Sequence, residues 1–367
     1  MNDADARARI QGDLERTLFV EAAAGTGKTS ALVSRLVSVL RSGRGTLDRI
    51  VAVTFTEKAA GEMKLRVRAE IEKARAEAAR GSEERARLDR ALEQLELARI
   101  MTIHAFCADL LHERPIEARV DPLFEMADEE ESARLLERAF EAWFQTTLSH
   151  PPEGVRRILR RRPRWSDSEG PRERLRDAVA KLVDHRDFDA PWRRDPGFER
   201  DREIDAVMEE LAALGALAER ASNPRTYLAG ALREVQQLVD EVALVERMRG
   251  RDHDQLEARL RELAHAKGWR YKGSGHLFGK ALPRADVISQ RDAVKERLDA
   301  LLTASDADLA ACLREELRPA VRSYEALKAR AGKLDFLDLL VRARDLVRGD
   351  AAVRAQFQGR FTHLFVD

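Results

Sequence analysis

The chain has 367 residues, of which 44% are hydrophobic and 35% charged, and this composition predicts a soluble, helix-rich protein of two or three structural units and excludes a disordered one. Its 65 basic and 65 acidic residues cancel to a net charge of zero, so any contact with nucleic acid must come from a local surface. No apolar run approaches membrane length and the N-terminus lacks the apolar core of a secretory signal, so we expect a cytoplasmic protein without a membrane partner.

The first elements follow the order strand, loop, helix. Residues 17–21 are a short apolar run, and residues 22–29 form a loop of small residues that ends in Gly27-Lys28-Thr29. Residues 30–37 then repeat apolar side chains at the spacing of a helix. The same order recurs further along the chain, which indicates a parallel sheet with crossover helices.

Two further strands are predicted in the first third of the chain. Residues 49–55 form an apolar, β-branched run, and the highly charged segment at 57–79 after it is predicted to be helical. Residues 98–103 form the third strand, followed by a helix that begins near Ala105.

A long helical region separates these strands from the last one. From about Asp121 to Leu334 the strand signal disappears, and apolar residues recur at intervals of three and four. Asn223 and Pro224 predict the start of one helix, with Asn as its cap and Pro at its first position. Residues 362–367 are again an apolar strand, which ends in a carboxylate.

We therefore expect an α/β fold, in which a parallel sheet domain with a phosphate loop is interrupted by a large all-helical insertion. The predicted boundaries place the first part of the sheet domain at 1–120, the insertion at 121–333 and the return to the sheet domain at 334–367. Proline and glycine breaks divide the insertion into helices of ordinary length.

The two cysteines, Cys107 and Cys312, indicate neither a disulfide framework nor a zinc site. They lie far apart, without a CxxC spacing or a paired set of histidines. We expect both to be buried thiols.

The strongest chemical signal is the segment Ala22-Ala23-Ala24-Gly25-Thr26-Gly27-Lys28-Thr29, because it has the pattern of a phosphate-binding loop between a strand and a helix. Glycines let the backbone curl so that its amides and the helix N-terminus face the phosphates, Lys28 adds a positive charge, and the Thr29 hydroxyl is a magnesium ligand. The first glycine of the general pattern is Ala22 here. We expect ATP and Mg²⁺ to be bound by residues Ala22, Ala23, Ala24, Gly25, Thr26, Gly27, Lys28, Thr29 and Ser30.

The ends of the second and third strands carry candidate residues for nucleic acid. Ligands of open α/β sheets gather at the carboxyl ends of the strands. Hydroxyls, helix-start amides, a lysine and a histidine there suit a phosphate backbone, and Phe55 suits stacking on a base. For His104 alone, a structural histidine is at least as good a reading. The candidate DNA-binding residues are Thr54, Phe55, Thr56, Lys58, Thr102 and His104.

Taken in order, these segments resemble superfamily 1 DNA helicases of the UvrD/Rep type, and most closely the RecB- and AddA-like helicase subunits of recombination nucleases. AAAGTGKT is similar to the Walker A loop of that family, TFTEKAAGEM to its motif that holds single-stranded DNA, and TIHAFC to the next DNA-contact motif. LDFLDLL and HLFVD look like the approach to Walker B. The specific resemblance covers about the first 130 and the last 35 residues, and the middle matches only as a helical insertion of suitable size.

The resemblance implies a RecA-like domain of an ATP-dependent DNA helicase that translocates on single-stranded DNA in recombination or repair. It implies that Lys28 and Asp367 act in ATP hydrolysis, that Asp367 holds magnesium with Thr29, and that the protein has a nuclease or a second helicase chain as its partner. Gln11 is the only glutamine ahead of the loop, and it is closer than the adenine-reading glutamine of the family should be. Adenine recognition therefore stays open.

The family pattern continues beyond what these residues contain. Its catalytic glutamate follows the Walker B aspartate, and its second RecA-like domain supplies arginines to the γ-phosphate. We therefore expect an incomplete fragment that lacks turnover by itself. Two alternatives stay open: a non-catalytic module that binds nucleotide and DNA, and an ABC- or SMC-type ATPase, whose insertion should show sustained heptads.

Two basic stretches of the insertion are candidates for contact with a duplex junction. One contains six arginines beside Trp165, and the other is Trp269-Arg270-Tyr271-Lys272-Gly273-Ser274-Gly275. Arginine-rich helix faces are also commonly solvated and paired with neighbouring acids. A structural role therefore stays open beside contact with DNA. The six arginines are Arg156, Arg157, Arg160, Arg161, Arg162 and Arg164.

Overall fold

Helices form most of the chain, and a small parallel sheet is the largest sheet of the computed structural model. The backbone divides into two units, the first made of Met1–Glu129 with Lys328–Asp367 and the second of Glu130–Leu327. No helix in the described part of the chain has the length and apolarity that crossing a membrane requires. The structure describes residues 3–23, 25–161, 169–188, 192–271 and 275–367.

The first part of the chain alternates helices with short strands. The predicted strands at 49–55 and 98–103 are present, and so is the predicted helix after each. The elements are α1 (Asp3–Gly12), α2 (Lys28–Ser42), β1 (Ile50–Thr54), α3 (Glu57–Glu77), α4 (Glu83–Glu93), β2 (Arg99–Thr102), α5 (Ile103–Glu113), α6 (Pro115–Ala118) and β3 (Glu125–Met126).

The remaining elements are a long helical series and a final return to strand. The helical series, which includes one hairpin, is α7 (Glu129–Leu148), α8 (Glu153–Arg160), α9 (Pro171–Asp184), α10 (Arg200–Ala216), α11 (Tyr227–Arg249), α12 (His253–Ala264), β4 (Leu277–Gly279), β5 (Leu282–Pro283) and α13 (Arg284–Arg330). The return is β6 (Lys333–Leu334), α14 (Phe336–Gly349), α15 (Ala351–Arg360) and β7 (His363–Val366).

The main sheet has the order β2-β1-β7, and all of its pairs are parallel. Thr54 lies opposite Thr102 on one side of β1, and Val53 lies opposite Val366 on the other. All five residues of β1 are buried, as expected for the central strand of a parallel sheet. Apolar side chains of α2, α3 and α4 form one buried cluster with residues of β1, β2 and β7, which explains why α2 and α3 carry an apolar stripe.

The predicted strand at 17–21 is wrong. Among the described residues, the main sheet contains only β2, β1 and β7, and residues 17–21 belong to no strand. Phe19 is 95% exposed and Val20 is 45% exposed. A short apolar run becomes a strand only where a neighbour offers a hydrogen-bonding edge, and the sequence of the run does not carry that information.

The expectation of no strands between Asp121 and Leu334 is also wrong in detail. β3 pairs in parallel with β6, and β4 pairs with β5 in an antiparallel hairpin. Each of these strands has only two or three residues, which is too short for a periodic pattern to be visible in the sequence.

Two predictions about individual helices also need correction. α11 begins at Tyr227 and not at Pro224, because Asn223 accepts a hydrogen bond from the Arg225 amide in a turn and Thr226 is the cap, accepting from the Ala229 amide at 3.3 Å. α13 has 47 residues and contains Pro319, so it is much longer than the helices of ordinary length that we expected in the insertion.

Charged side chains fill part of the interior of the second unit. Arg157 is 1% exposed, and its guanidinium donates to Glu257 at 2.8 Å, to Asp308 at 2.6 Å and to the Ser305 carbonyl at 2.8 Å. Burial raises the pKa of Asp308, but hydrogen bonds from Arg194 and Arg157 outweigh this effect, so the pKa lies below its usual range. α8, α12 and α13 are joined by these contacts.

We expect Arg157→Ala to destabilise the second unit by about 3 kcal/mol, because it leaves two buried carboxylates short of a partner. Arg160→Ala is the matched control. It removes an ion pair with Asp252 from a side chain that is 55% exposed, and we expect a loss of less than about 1 kcal/mol.

Urea unfolding followed by tryptophan fluorescence measures this difference, because all four tryptophans of the chain lie in the second unit. Equal midpoints for the two variants would show that the buried network does not stabilise the unit.

Candidate functional site

The loop before α2 has the backbone geometry that its glycines predict. Gly25 and Gly27 have φ angles of 77° and 84°, a left-handed region in which a residue with a side chain is strained. The Thr26 hydroxyl donates to the Ala23 carbonyl at 2.7 Å, and Ala31 N donates to the Gly27 carbonyl at 3.0 Å as α2 begins. The chain therefore curls directly in front of the helix N-terminus, where unpaired amides attract anions. Ala24 lies outside the described residues.

Lys28 lies across the same loop. Its Nζ donates to the carbonyls of Ala22 and Ala23, both at 3.0 Å. An ammonium has three donors, so one remains for a further acceptor. The loop and its lysine thus place positive charge and backbone amides on one side of the α2 N-terminus.

A hydrogen bond joins the loop to the end of β7. The Thr29 hydroxyl donates to Asp367 Oδ2 at 2.7 Å, between residues 338 positions apart in the sequence. Asp367 is held in place because its own amide donates to the Val53 carbonyl at 3.0 Å, which extends the pairing of β7 with β1. A hydroxyl and a carboxylate are hard oxygen donors of the kind that Mg²⁺ prefers, so these residues fit that ion.

The N-terminal helix contacts the loop, which no pattern in the sequence predicted. Arg7 donates to the Thr26 carbonyl at 3.0 Å, and Gln11 Nε2 donates to Ser34 Oγ at 2.9 Å. Arg35 of α2 donates to the carbonyls of Ile10 and Asp13 at 2.7 and 2.9 Å. Gln11 is thereby placed beside α2, about one turn beyond the phosphate loop. Contacts between side chains and a distant backbone leave no local signal.

The threonines at the ends of β1 and β2 are either buried or cap the helices that follow the strands. Thr54 and Thr102 are 5% and 6% exposed. The hydroxyl of Thr56 accepts from the Ala59 amide, and that of Thr102 accepts from the Ala105 amide, both at 3.1 Å. Thr102 also donates to Glu57 at 3.0 Å, which joins the two motifs. These hydroxyls begin α3 and α5 at the same edge of the sheet.

Other candidates at this edge are accessible. Phe55 is 76% exposed, and Lys58 is exposed in the first turn of α3. The ring of His104 contacts the ring of Phe336 edge-on, with centroids 5.0 Å apart. Phe336 is 57% exposed and was not singled out from the sequence, although an aromatic residue directly after a capping aspartate was a usable signal.

Buried charges fix the position of Phe336. Asp335 and Asp338 form a reciprocal capping box at the start of α14, with hydrogen bonds of 2.9 and 3.1 Å. Lys328 is 1% exposed and donates to both carboxylates. The start of α14 is therefore held by three charged side chains, which keep the Phe336 ring against His104.

Both cysteines are buried free thiols, which confirms that expectation. Burial raises the pKa of Cys107 to about 11. For Cys312, burial is the main cause, and nearby carboxylates add to it, so that its pKa also rises to about 11. With these pKa values, both side chains are predominantly protonated thiols at neutral pH.

The described arginines of the first basic stretch are paired with acids of the second unit. Arg156 donates to Asp254 at 3.0 Å, and Arg161 donates to Glu257 and Asp306 at 3.2 and 3.0 Å. Arg160 pairs with Asp252 at 3.0 Å, while Arg157 is buried. This arrangement favours the reading of a paired helix face. The predicted contacts of Arg162, Arg164 and Trp165 lie outside the described residues.

In the second stretch, Trp269 is part of the core. It is partly buried against the main apolar cluster of the second unit, and its Nε1 donates to the Leu263 carbonyl at 2.7 Å. A tryptophan held in this way stabilises the fold and does not offer a free ring. Lys272, Gly273 and Ser274 lie outside the described residues.

Comparison with known proteins gives a family match over the whole chain. The family described as UvrD/REP helicase N-terminal domain matches residues 1–367. An ATP-dependent helicase/nuclease subunit from Syntrophomonas wolfei is 27% identical over 388 residues, covering 95% of this chain and 30% of the relative. Its namesake in Geobacillus thermodenitrificans is 27% identical over 398 residues, covering 96% and 31%. That of Heliobacterium modesticaldum is 39% identical over 132 residues, covering 35% and 9%.

Proposed function

This chain belongs to the UvrD/REP helicase family, and we propose that it is the ATP-binding part of an ATP-dependent DNA helicase that moves along single-stranded DNA. The observation that carries the proposal is the 2.7 Å hydrogen bond between Thr29 and Asp367, because it brings a magnesium-binding pair together at the phosphate loop. Family membership also favours a helicase over an ABC- or SMC-type ATPase. The chain spans about 30% of the length of the first curated relatives it matches. We therefore propose the helicase activity for the whole protein and ATP binding for this chain.

We assign MgATP binding to the curled loop and its helix. Backbone amides of Gly25, Gly27 and the start of α2 face the phosphates, and Lys28 exchanges a carbonyl partner for a phosphate oxygen. Thr29 and Asp367 supply oxygens to Mg²⁺, directly or through water. When bound, MgATP supplies the energy of phosphoryl transfer. The remaining members of the proposed nucleotide site are Ala22, Ala23, Ala24, Thr26 and Ser30.

We further propose that the first unit is a RecA-like domain and the second a helical insertion within it. The predicted boundaries of 1–120, 121–333 and 334–367 are kept in this proposal. Support comes from the backbone division after Glu129 and before Lys328, and from the parallel order β2-β1-β7. In such a fold, ligands bind at the carboxyl ends of the strands, where the loop and Asp367 lie.

The proposed DNA track follows the ends of β1 and β2. Phe55 stacks on a base, and Lys58 and His104 contact phosphates. Phe336 joins the track because its exposed ring contacts His104. Thr54, Thr56 and Thr102 support the track indirectly, because they fix the strand ends and the first turns of α3 and α5.

The curated relatives suggest what the whole protein contains. Their printed name joins a helicase to a nuclease and describes one chain of a larger assembly. We propose a partner chain with helicase or nuclease activity, and action in recombination or repair in the cytoplasm. ATP hydrolysis also needs a positioned water and positive charge at the γ-phosphate.

We expect Lys28→Ala to weaken MgADP or MgATP binding by about 1.5–3 kcal/mol, because it removes a charge-assisted contact to phosphate. Lys73→Ala is the control, since it removes a cation from an exposed position of α3. Titration with a fluorescent nucleotide measures both variants. Unchanged affinity in Lys28→Ala would remove the nucleotide site from the loop.

We expect Asp367→Asn to reduce the contribution of Mg²⁺ to nucleotide binding by about 1 kcal/mol, because the amide is a poorer ligand and lacks the charge. Binding in the presence of EDTA should not change. Asp345→Asn, which alters an exposed carboxylate of α14, is the control. An equal loss with and without Mg²⁺ would contradict the role in metal binding.

We expect Phe55→Ala to weaken binding of single-stranded DNA by about 1–3 kcal/mol without changing sequence preference, because one stacking platform is lost. Leu65→Ala removes an apolar side chain that is 69% exposed on α3, and it should have no effect. Fluorescence anisotropy with a labelled oligothymidylate at low salt compares them. Equal affinities for the two variants would exclude Phe55 from the track.

A further inference from the structure

Six exposed cations of the second unit lie on neighbouring segments around the start of α11, and none of them has an acidic partner among the described residues. Many arginines of this unit form ion pairs, as Arg156, Arg251 and Arg259 do. Around the start of α11, however, no carboxylate of the described chain pairs with the cations there. Those cations are Arg220, Arg225, Arg233, Lys267, Arg270 and Lys280.

Tight contacts bring the segments that carry these cations together. The Ser222 amide donates to the Phe278 carbonyl at 2.9 Å, so the hairpin β4–β5 lies on the segment before α11. Gly268 lies against Ala231 of α11 so closely that an added Cβ would be 2.8 Å from the Ala231 Cβ. The Arg233 guanidinium donates to the Pro224 carbonyl, which holds the turn before the helix. The hairpin, the turn at 267–270 and the start of α11 therefore form one surface.

Two tyrosines lie on this surface. The rings of Tyr227 and Tyr271 are 5.1 Å apart with an angle of 31° between their planes. Tyr227 is 75% exposed, although a ring of this size is usually covered when it only stabilises a fold. Arg291 donates to the Tyr271 carbonyl and fixes that side of the pair.

We propose that this surface, defined by Tyr227, Tyr271 and the six cations named above, is a second binding site for single-stranded nucleic acid. An unpaired base stacks on the Tyr227 ring, and Arg225, Arg270 and their neighbours contact the phosphates on either side. The site lies wholly in the second unit. It extends the proposed function, on which it rests, by adding a contact that does not depend on the nucleotide site or on Phe55.

Charge and chemistry favour a nucleic-acid strand over an acidic protein. The same segments and the first turn of α13 also carry Glu219, Glu234 and Asp286, so six exposed cations stand against three carboxylates and the surface has a positive excess. A positive surface attracts any polyanion. The exposed tyrosine adds a preference for an aromatic base, which an acidic peptide cannot satisfy, and stacking requires a base that is not already paired.

The test uses the full chain with Phe55→Ala as background, so that binding at the first unit is already weakened. In this background we expect Tyr227→Ala to lower the affinity for oligothymidylate about tenfold, while Tyr227→Phe keeps it. Arg225→Ala and Arg270→Ala should each reduce the slope of log affinity against log salt by about 0.7. Arg249→Ala is the matched control, because Arg249 is exposed, has no acidic partner in the described chain, and lies at the other end of α11, about 33 Å from Tyr227.

Photo-crosslinking with a bromodeoxyuridine oligonucleotide provides an independent readout, and we expect crosslinked peptides that contain Tyr227 or Tyr271. The proposal would be overturned if adding Tyr227→Ala to the Phe55→Ala background left the affinity unchanged, or if Arg249→Ala caused an equal loss. Equal competition by polyglutamate would also overturn it, because this would indicate an acidic protein partner. If Phe55→Ala weakens binding but Tyr227→Ala does not, the proposed helicase function stands and this second site falls. If Tyr227→Ala weakens binding but Phe55→Ala does not, the second site stands and the proposed DNA track at Phe55 falls.

Discussion

The parallel pairing of β7 with β1 is the constraint on which the candidate site depends. It places His363 beside Ile50 and continues to the Asp367 amide, which donates to the Val53 carbonyl. The Asp367 carboxylate therefore has a fixed position next to Thr29, although 338 positions separate the two residues. A shift of β7 by one residue would turn Phe365 out of the core and move Asp367 away from the loop. The buried apolar face of the strand thus sets the geometry of the proposed magnesium site.

At the sheet edge, buried residues position exposed ones. Thr54 and Thr102 are inaccessible, but they end their strands, so that Phe55 follows β1 directly and His104 lies in the first turn of α5. Lys328, which is buried, holds the capping box that begins α14 and so keeps Phe336 beside His104. A hydrogen bond to a charged group in a buried place restricts its partners more than the same bond in water does. The accessible aromatic residues are therefore held by a rigid polar layer beneath them.

The net charge of zero conceals two opposite uses of charge in the second unit. Around Arg157, acidic and basic side chains form ion pairs inside the fold. Removing one partner leaves a buried charge unpaired, which is destabilising. Around Tyr227, cations stay exposed and without acidic partners in the described chain, which leaves them able to attract a polyanion. The buried cluster around Arg157 and the exposed surface around Tyr227 are both rich in arginine, so composition cannot distinguish a structural cluster from a binding surface. The two are distinguished by their contacts: the arginines around Arg157 are bonded to carboxylates, whereas those around Tyr227 lie exposed beside an accessible pair of aromatic rings.

The sequence by itself determined the features whose causes are local. Gly25, Gly27 and Lys28 predict the curl of the phosphate loop because the left-handed backbone is a property of each glycine, and Thr56 and Thr102 start their helices through amides three residues ahead. Only the tertiary structure decided that residues 17–21 form no strand, that Phe336 contacts His104 and that Arg157 is buried with its acids. These outcomes depend on partners far away in the chain, and the free energy of a pairing belongs to both partners, so neither segment reveals it alone.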